Sequence, residues 1–243
     1  PKSDSDGRYQ LQGEIARGGM GAIIKGRDTD LGRDLAIKVL LDSHKDKPEV
    51  IQRFIEEAQI GGQLQHPGIA PVYELGQFED KRPFFSMKLV KGQTFSKLLK
   101  EREDIAAERA RFLGIFEQVC QTMAYAHSRG VIHRDLKPAN IMIDGQGQVR
   151  ITDFGLATFT GDGENIIGMS GTPAYMAPEQ LLRGLTSVQS DIYSLGLVLF
   201  EVFTGNYAHK AQTLAELRQL HAHSSSVEMP STMNVEMEPA VER

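Results

Sequence analysis

The stretch from Val131 to Gly155, VIHRDLKPANIMIDGQGQVRITDFG, constrains this chain more than any other. Two apolar runs, Val131-Ile132 and Ile141-Met142-Ile143, flank a polar loop. A third β-like run, Val149 to Thr152, leads into Asp153-Phe154-Gly155. The loop gathers His133, Arg134, Asp135, Lys137 and Asn140 within eight residues. A solvated connector between strands carries any one of these by chance. The ordered set HRDLKPAN, followed by DFG after one short hairpin, is far beyond chance.

These residue types at these spacings suit phosphoryl transfer, which asks a protein for positioning and charge neutralisation more than for covalent chemistry. Asp135 would accept or orient the proton of an attacking hydroxyl, and Lys137 would reach the transferring phosphate. Asn140 offers an amide oxygen, and Asp153 a carboxylate, to a hard cation. Magnesium needs few protein oxygens when phosphate and water complete its shell. With these motifs the chain resembles a eukaryotic-like (Hanks-type) serine/threonine protein kinase of the bacterial style, over residues 9 to 243. The resemblance implies an α+β, bilobal fold. A small β-rich lobe with one main helix would occupy residues 9–90, and a larger, mostly helical lobe residues 91–243. Residues 1–8 read as a disordered leader. It also implies ATP and Mg2+ as cofactors and serine or threonine hydroxyls of proteins as acceptors.

Residues 9 to 40 alternate in a strand-like way around two glycine-containing turns. Ile15 to Ile24, IARGGMGAII, matches the kinase hairpin that covers phosphates, with Gly18 and Gly21 at its second and third glycine positions and Ala16 in place of the first. Glycine lets backbone N–H groups approach phosphate oxygens. Lys38, on the apolar strand Leu35-Ala36-Ile37-Lys38, would hold the α- and β-phosphates, while Ile23 and Ala36 would cover one face of the adenine. Residues 48 to 64 read as a helix: Pro48 suits its first turn, and Ile51, Phe54, Ile55 and Ala58 give it one apolar face. Glu57, in RFIEEA, is the expected partner of Lys38, and Gly61-Gly62 should fray the helix end. Val72–Leu75 and Pro83–Val90 read as strands. Met87 matches the residue gating the back of the nucleotide pocket, and Lys88, Leu89 and Val90 the segment that pairs with the adenine edge. Met142 completes the nucleotide set.

Residues 108 to 128 form a long amphipathic pattern. From Asp153 to Glu179 the chain has few apolar anchors and carries hydroxyls at Thr158, Thr160 and Ser170. Arg134 is the expected partner of a phosphate placed there. Gly171-Thr172-Pro173-Ala174-Tyr175 resembles the substrate-facing turn of serine/threonine kinases, with Thr172 serving the active site. Asp191 opens a helix that is apolar nearly all round; it should be buried, capping that helix and tying down the catalytic loop. After residue 224 the pattern weakens. The family would supply two more helices and an arginine for Glu179, so the domain reads as C-terminally truncated, and a second copy of the chain is one candidate to cover the gap.

Composition excludes some classes. Twenty-seven basic residues against 32 acidic ones give a net charge of −5, with no basic patch for nucleic acid. One cysteine, Cys120, excludes an intrachain disulfide and suits a cytoplasmic setting. The longest apolar run, Ile192 to Phe203, is too short to span a bilayer. Two other functions compete: a pseudokinase scaffold, against which intact Lys38, Glu57, Asp135, Asn140 and Asp153 weigh, and a small-molecule kinase, against which GTPAYMAPE weighs.

Overall fold

A computed structural model describes residues 2–3, 7–154, 157–159, 173–209 and 214–222. Its first part contains strands β1 (Lys2–Ser3), β2 (Tyr9–Arg17), β3 (Gly21–Asp28) and β4 (Arg33–Leu40), helix α1 (Pro48–Gln63), and strands β5 (Val72–Gln77) and β6 (Pro83–Lys88). The strands form one six-stranded sheet in the order β1-β5-β6-β4-β3-β2. Strand alternation gives the sheet two different faces. Leu35, Ile37 and Val39 pack with Tyr9 and Phe84 on one face. Leu40 and Phe85 meet Phe54 and Ala58 of α1 on the other.

Helix α1 starts with Pro48 in its first turn, where a missing N–H costs nothing. It does not fray at its glycines but runs on to Gln63. The reason is packing: a Cβ at Gly61 would come 2.8 Å from Val72 Cγ2, so the glycine lets the helix lie close on β5. Just beyond, Ile60 and Leu64 enter the large core of the other lobe.

That second lobe runs through β7 (Gly92–Thr94), α2 (Phe95–Glu101), α3 (Ile105–Ser128), β8 (Val131–Ile132), β9 (Ile141–Asp144), β10 (Val149–Ile151), β11 (Thr158–Phe159), α4 (Pro178–Arg183), α5 (Val188–Thr204) and α6 (Leu214–Ala222). Asp104 caps α3 through hydrogen bonds from the Ala106 and Ala107 N–H groups. Phe112, Ile115, Val119, Met123 and Ala126 keep helical spacing and pack against α5 and the β9–β10 hairpin. Cys120 lies half-buried beside this core, where burial pushes its thiol up.

Three expectations are corrected. Residues 1–8 are not wholly a loose leader: Lys2–Ser3 pair in parallel with Gly76 and Gln77, whose strand would otherwise leave an open edge. Arg8 bonds Asp28 and Glu74. Asp191 does not cap α5; Ser187 does, in a reciprocal pair with Ser190. Ile192 is 55% exposed, so α5 is not buried all round. Glu179 has no ion pair among the described residues and accepts a 2.7 Å hydrogen bond from Ser190 Oγ. Thr160, Ser170, Thr172 and residues 223–243 lie outside the described residues.

Candidate active site

Register puts the upper half of the site on one sheet face. Lys38 lies opposite Ile23 and Phe85, and Ala36 opposite Met87. Cross-strand pairs share a face, so Ile23, Ala36, Lys38 and Met87 point to the same side as α1. Lys38 Nζ donates to both carboxylate oxygens of Glu57, at 2.6 and 2.8 Å, and reaches Asp153 Oδ1 at 3.4 Å. Burial alone would lower the lysine, but the Glu57 and Asp153 carboxylates outweigh it and hold it above its ordinary value. Burial likewise raises Glu57 against the pull of Lys38. Burial works to raise Asp153 too, yet Lys38, His133 and Lys137 hold it below the usual carboxylate range. Asp153 lies between the lobes with 48% of its side chain open to the cleft.

The lower half hangs on a buried carboxylate. Asp191 accepts the backbone N–H groups of His133 and Arg134 at 2.8 and 2.9 Å. His127 Nε2 reaches the same carboxylate at 2.8 Å. The His133 ring contacts the Asp135 N–H through Nδ1 at 3.3 Å, which assigns its proton to Nε2, 3.3 Å from the Thr152 carbonyl. Its ring also packs on Phe154. Lys137 Nζ donates to Asp135 Oδ2 at 2.7 Å. The Asn140 amide nitrogen donates to the Asp135 carbonyl and, at 3.1 Å, to its carboxylate. Among the described residues the Asn140 amide oxygen has no donor. The β9–β10 hairpin then brings Thr152 back onto the Asn140 carbonyl, so Asp153 follows within reach of the loop. Arg134 and Asp153 both have φ in the left-handed region, at 71° and 61°. Such strain persists only where surroundings over-determine it, as at functional sites.

The β2–β3 hairpin covers the cleft. Its tip closes with a 2.9 Å hydrogen bond from Gly18 N to the Gly21 carbonyl. A Cβ at Gly21 would meet the Val39 carbonyl at 2.8 Å and the Phe54 ring at 3.3 Å, whereas one at Gly18 would make only an ordinary 3.8 Å contact with the Gly21 carbonyl and one at Gly19 would meet open space. Ala16 pairs with Ile23 beside a register shift, an extended position that does not require glycine. Met142 alternates with the buried Ile141 and Ile143 and is half-exposed below the cleft. The strand ends at Lys88, not Val90, and the Lys88 N–H is committed to the Pro71 carbonyl. Of the Lys88 backbone groups, the carbonyl is the one left for an adenine edge.

The protein kinase domain model matches residues 9–242. The chain belongs to the protein kinase family. Serine/threonine-protein kinase PknA of Mycobacterium tuberculosis is 42% identical over 206 residues, which cover 82% of this chain and 47% of PknA. PrkC of Bacillus subtilis is 36% identical over 222 residues, covering 90% of this chain and 34% of PrkC. PknD of Protochlamydia amoebophila is 35% identical over 240 residues, covering 87% of this chain and 24% of PknD. The kinase domain thus spans between a quarter and a half of the length of these curated relatives. Protein kinases use ATP and a divalent metal. The donor set fits magnesium: Asp153 and the Asn140 amide oxygen are hard ligands. Among the described residues no group of three or more His, Cys, Asp or Glu is placed to hold a metal, so phosphate and water would complete the shell.

Sequence reasoning missed one residue of this kinase site. Arg53 lies one helical turn before Glu57, on the same face of α1. Arg134 is buried, and its Nε and Nη1 have no hydrogen-bond partner among the described residues. Burial, and then the like charge of Arg53, push its guanidinium below the ordinary value. The i, i+4 spacing from Glu57 is the signal that marks Arg53, although an exposed helix arginine ordinarily reads as a solvated charge.

Proposed function

We propose that this domain transfers the γ-phosphate of ATP to serine or threonine hydroxyls of proteins. The observation that carries the reading is the Lys38–Glu57 pair closing on Asp153, with Asp135 held by Lys137 and Asn140 directly below. Lys38 holds the α- and β-phosphates, while Gly18 and Gly21 bring backbone N–H groups over them. Ile23, Ala36, Met87, Met142, the Lys88 carbonyl and Val90 enclose the adenine. Asn140 and Asp153 would hold magnesium, which when bound would neutralise charge on the phosphate oxygens. Asp135 takes the hydroxyl proton as the oxygen bonds to phosphorus and the bond to the ADP oxygen breaks. Lys137 steadies the moving phosphoryl group, and Thr172 orients Asp135. Lys137 and the GTPAY turn favour serine and threonine over tyrosine, in keeping with the serine/threonine-protein kinases to which the chain is similar.

Arg134 and Arg53 supply a regulatory counterpart. Two cations from two lobes, one buried and short of partners, suit a phosphate carried by a hydroxyl between Thr158 and Ser170. The domain would place that phosphate on itself. The test is incubation with Mg-ATP, followed by mass spectrometry of the protein and of a generic basic substrate. The parent is expected to phosphorylate both and to carry phosphate between residues 158 and 170. Asp135→Asn should cut transfer by about 10²–10⁴-fold while nucleotide still binds. Asp153→Asn should weaken Mg-ATP binding as well. Transfer by Asp135→Asn at the parent rate would overturn the assignment.

A further inference from the structure

A second cleft, of about 390 Å³, lies behind the nucleotide site, between the C-terminal end of α1, the strand β6 and the strand β10. Lys88 and Arg150 line it, with His66 and Gln65, and no carboxylate does. Pairing with Leu35 turns the Lys88 side chain away from the face that carries Ala36 and Met87, so this cation does not serve the nucleotide pocket. Lys88 makes no ion pair within 4 Å among the described residues, although the Asp144 carboxylate feels its charge as well as that of Arg150. Arg150 makes one loose pair there, its Nε lying 3.8 Å from Asp144 Oδ2. That Nε is buried and has no hydrogen-bond partner among the described residues. Asp144 is already occupied, since its other oxygen accepts the Gln146 and Gln148 N–H groups. His66 Nδ1 accepts the Gly68 N–H at 3.0 Å, which leaves Nε2–H as the donor of that ring.

A buried donor without a partner is costly, and a native structure that keeps one calls for a ligand or ion. From these observations we infer that the rear cleft is a binding site for a small phosphate monoester. A monoester carries close to two negative charges at neutral pH, more than Asp144 alone offers the two cations, and has three oxygens for the donors of Lys88, Arg150 and His66. A carboxylate carries one charge. The volume is near the lower end of the roughly 300–1,000 Å³ of small-molecule sites, so the occupant is of metabolite size. Its walls come from both lobes and from the helix that carries Glu57. A ligand here braces α1 against β10, and its binding is linked to nucleotide binding in both directions.

The experiment uses the ¹⁵N-labelled protein and inorganic phosphate as the probe, with acetate as the comparison. Phosphate is expected to move the Gly62 and Gln65 amide signals saturably, and acetate to do so at least fivefold more weakly. Following those two amides separates this cleft from phosphate taken up at the nucleotide site or by Arg134. Arg150→Gln should weaken the phosphate-dependent shift at least tenfold. Gly62 lines the cleft and a Cβ there meets nothing within 4 Å, so Gly62→Met narrows the cleft mouth without a clash and should weaken the shift even if the arginine variant fails to fold. Unmoved Gly62 and Gln65 signals, or shifts unchanged in Gly62→Met, would overturn the site. Acetate binding as tightly as phosphate would overturn the ligand class.

Discussion

Two loops face each other across the cleft, and they are held in opposite ways. The loop from His133 to Asn140 hangs from the buried carboxylate of Asp191, which fixes two consecutive backbone N–H groups. The hairpin from Tyr9 to Asp28 is held by strand pairing, and every residue of β2 after Tyr9 is exposed. At its tip, Leu41 N donates to the Met20 carbonyl, and His44 Nε2 lies 2.9 Å from the Gly19 carbonyl. A proton acceptor must stay within hydrogen-bond reach of the hydroxyl it serves, whereas a cover must open for nucleotide to enter. Few buried contacts keep local opening cheap; many buried polar contacts make it costly.

The comparison breaks first at Asp191. Asp191→Ala leaves the His133 and Arg134 N–H groups and the His127 ring without their acceptor. It should cost about 3–5 kcal/mol, as removing one side of a buried charged interaction does, and remove transfer activity with it. Urea unfolding checks this, and a loss below 1 kcal/mol would mean that the loop does not depend on its carboxylate.

The root of the hairpin comes next. Arg8 holds Asp28, which is fully buried, and Glu74, to which Tyr9 donates a 2.5 Å hydrogen bond. The Arg8 guanidinium keeps the Asp28 carboxyl below the usual range. Folding therefore gains stability from Asp28 above the unfolded value of about 3.9, and loses it as pH falls through the lower folded value. Arg8→Met should cost about 1.5–3 kcal/mol at pH 7. Melting curves of parent and variant should converge as pH drops below about 4. Curves that stay parallel would remove Asp28 from the account.

At the tip the effects should be smaller and should differ between neighbours. Gly21→Ala pushes a methyl group against the Val39 carbonyl and should cost about 1–3 kcal/mol. Gly18→Ala makes only an ordinary 3.8 Å contact with the Gly21 carbonyl and should change stability by no more than about 0.5 kcal/mol, while nucleotide affinity falls because the N–H approach to phosphate is crowded. Equal melting temperatures for the two variants would show that the hairpin is loose to its root.

The contrast between the loops also marks what could be read from sequence. Asp135, Lys137, Asn140 and Asp153 were legible because one loop and one short hairpin bring them together, and both are local in the chain. Lys38 and Glu57 needed the family pattern in addition, because nothing local says which helix carboxylate meets a strand lysine. The meeting of His127 with Asp191 spans 64 positions and has no local signature. Gly61 reads as a helix breaker until Val72 is seen against it. Arg53 reads as solvated until Arg134 is seen to lie near it. Lys2–Ser3 have no strand pattern of their own and pair only because β5 offers an edge. Periodicity reports which face of an element is buried, not what it is buried against.

The left-handed backbone at Arg134 and Asp153 has a consequence for how such a chain ages under mutation. L-residues with a Cβ are disfavoured there, and glycine is not. At both positions a drift toward glycine relaxes the backbone; at Arg134 it also removes a guanidinium short of partners. Loss of Asp153 would also take a partner from Lys38, whereas loss of the Arg134 side chain takes none from the described residues. A lineage freed from the need to transfer phosphate, and selected only to stay folded, would therefore shed Arg134 early, and that position is a more informative place to look for a relative that has become a scaffold than Lys38 or Asp135, whose loss costs the fold a partner.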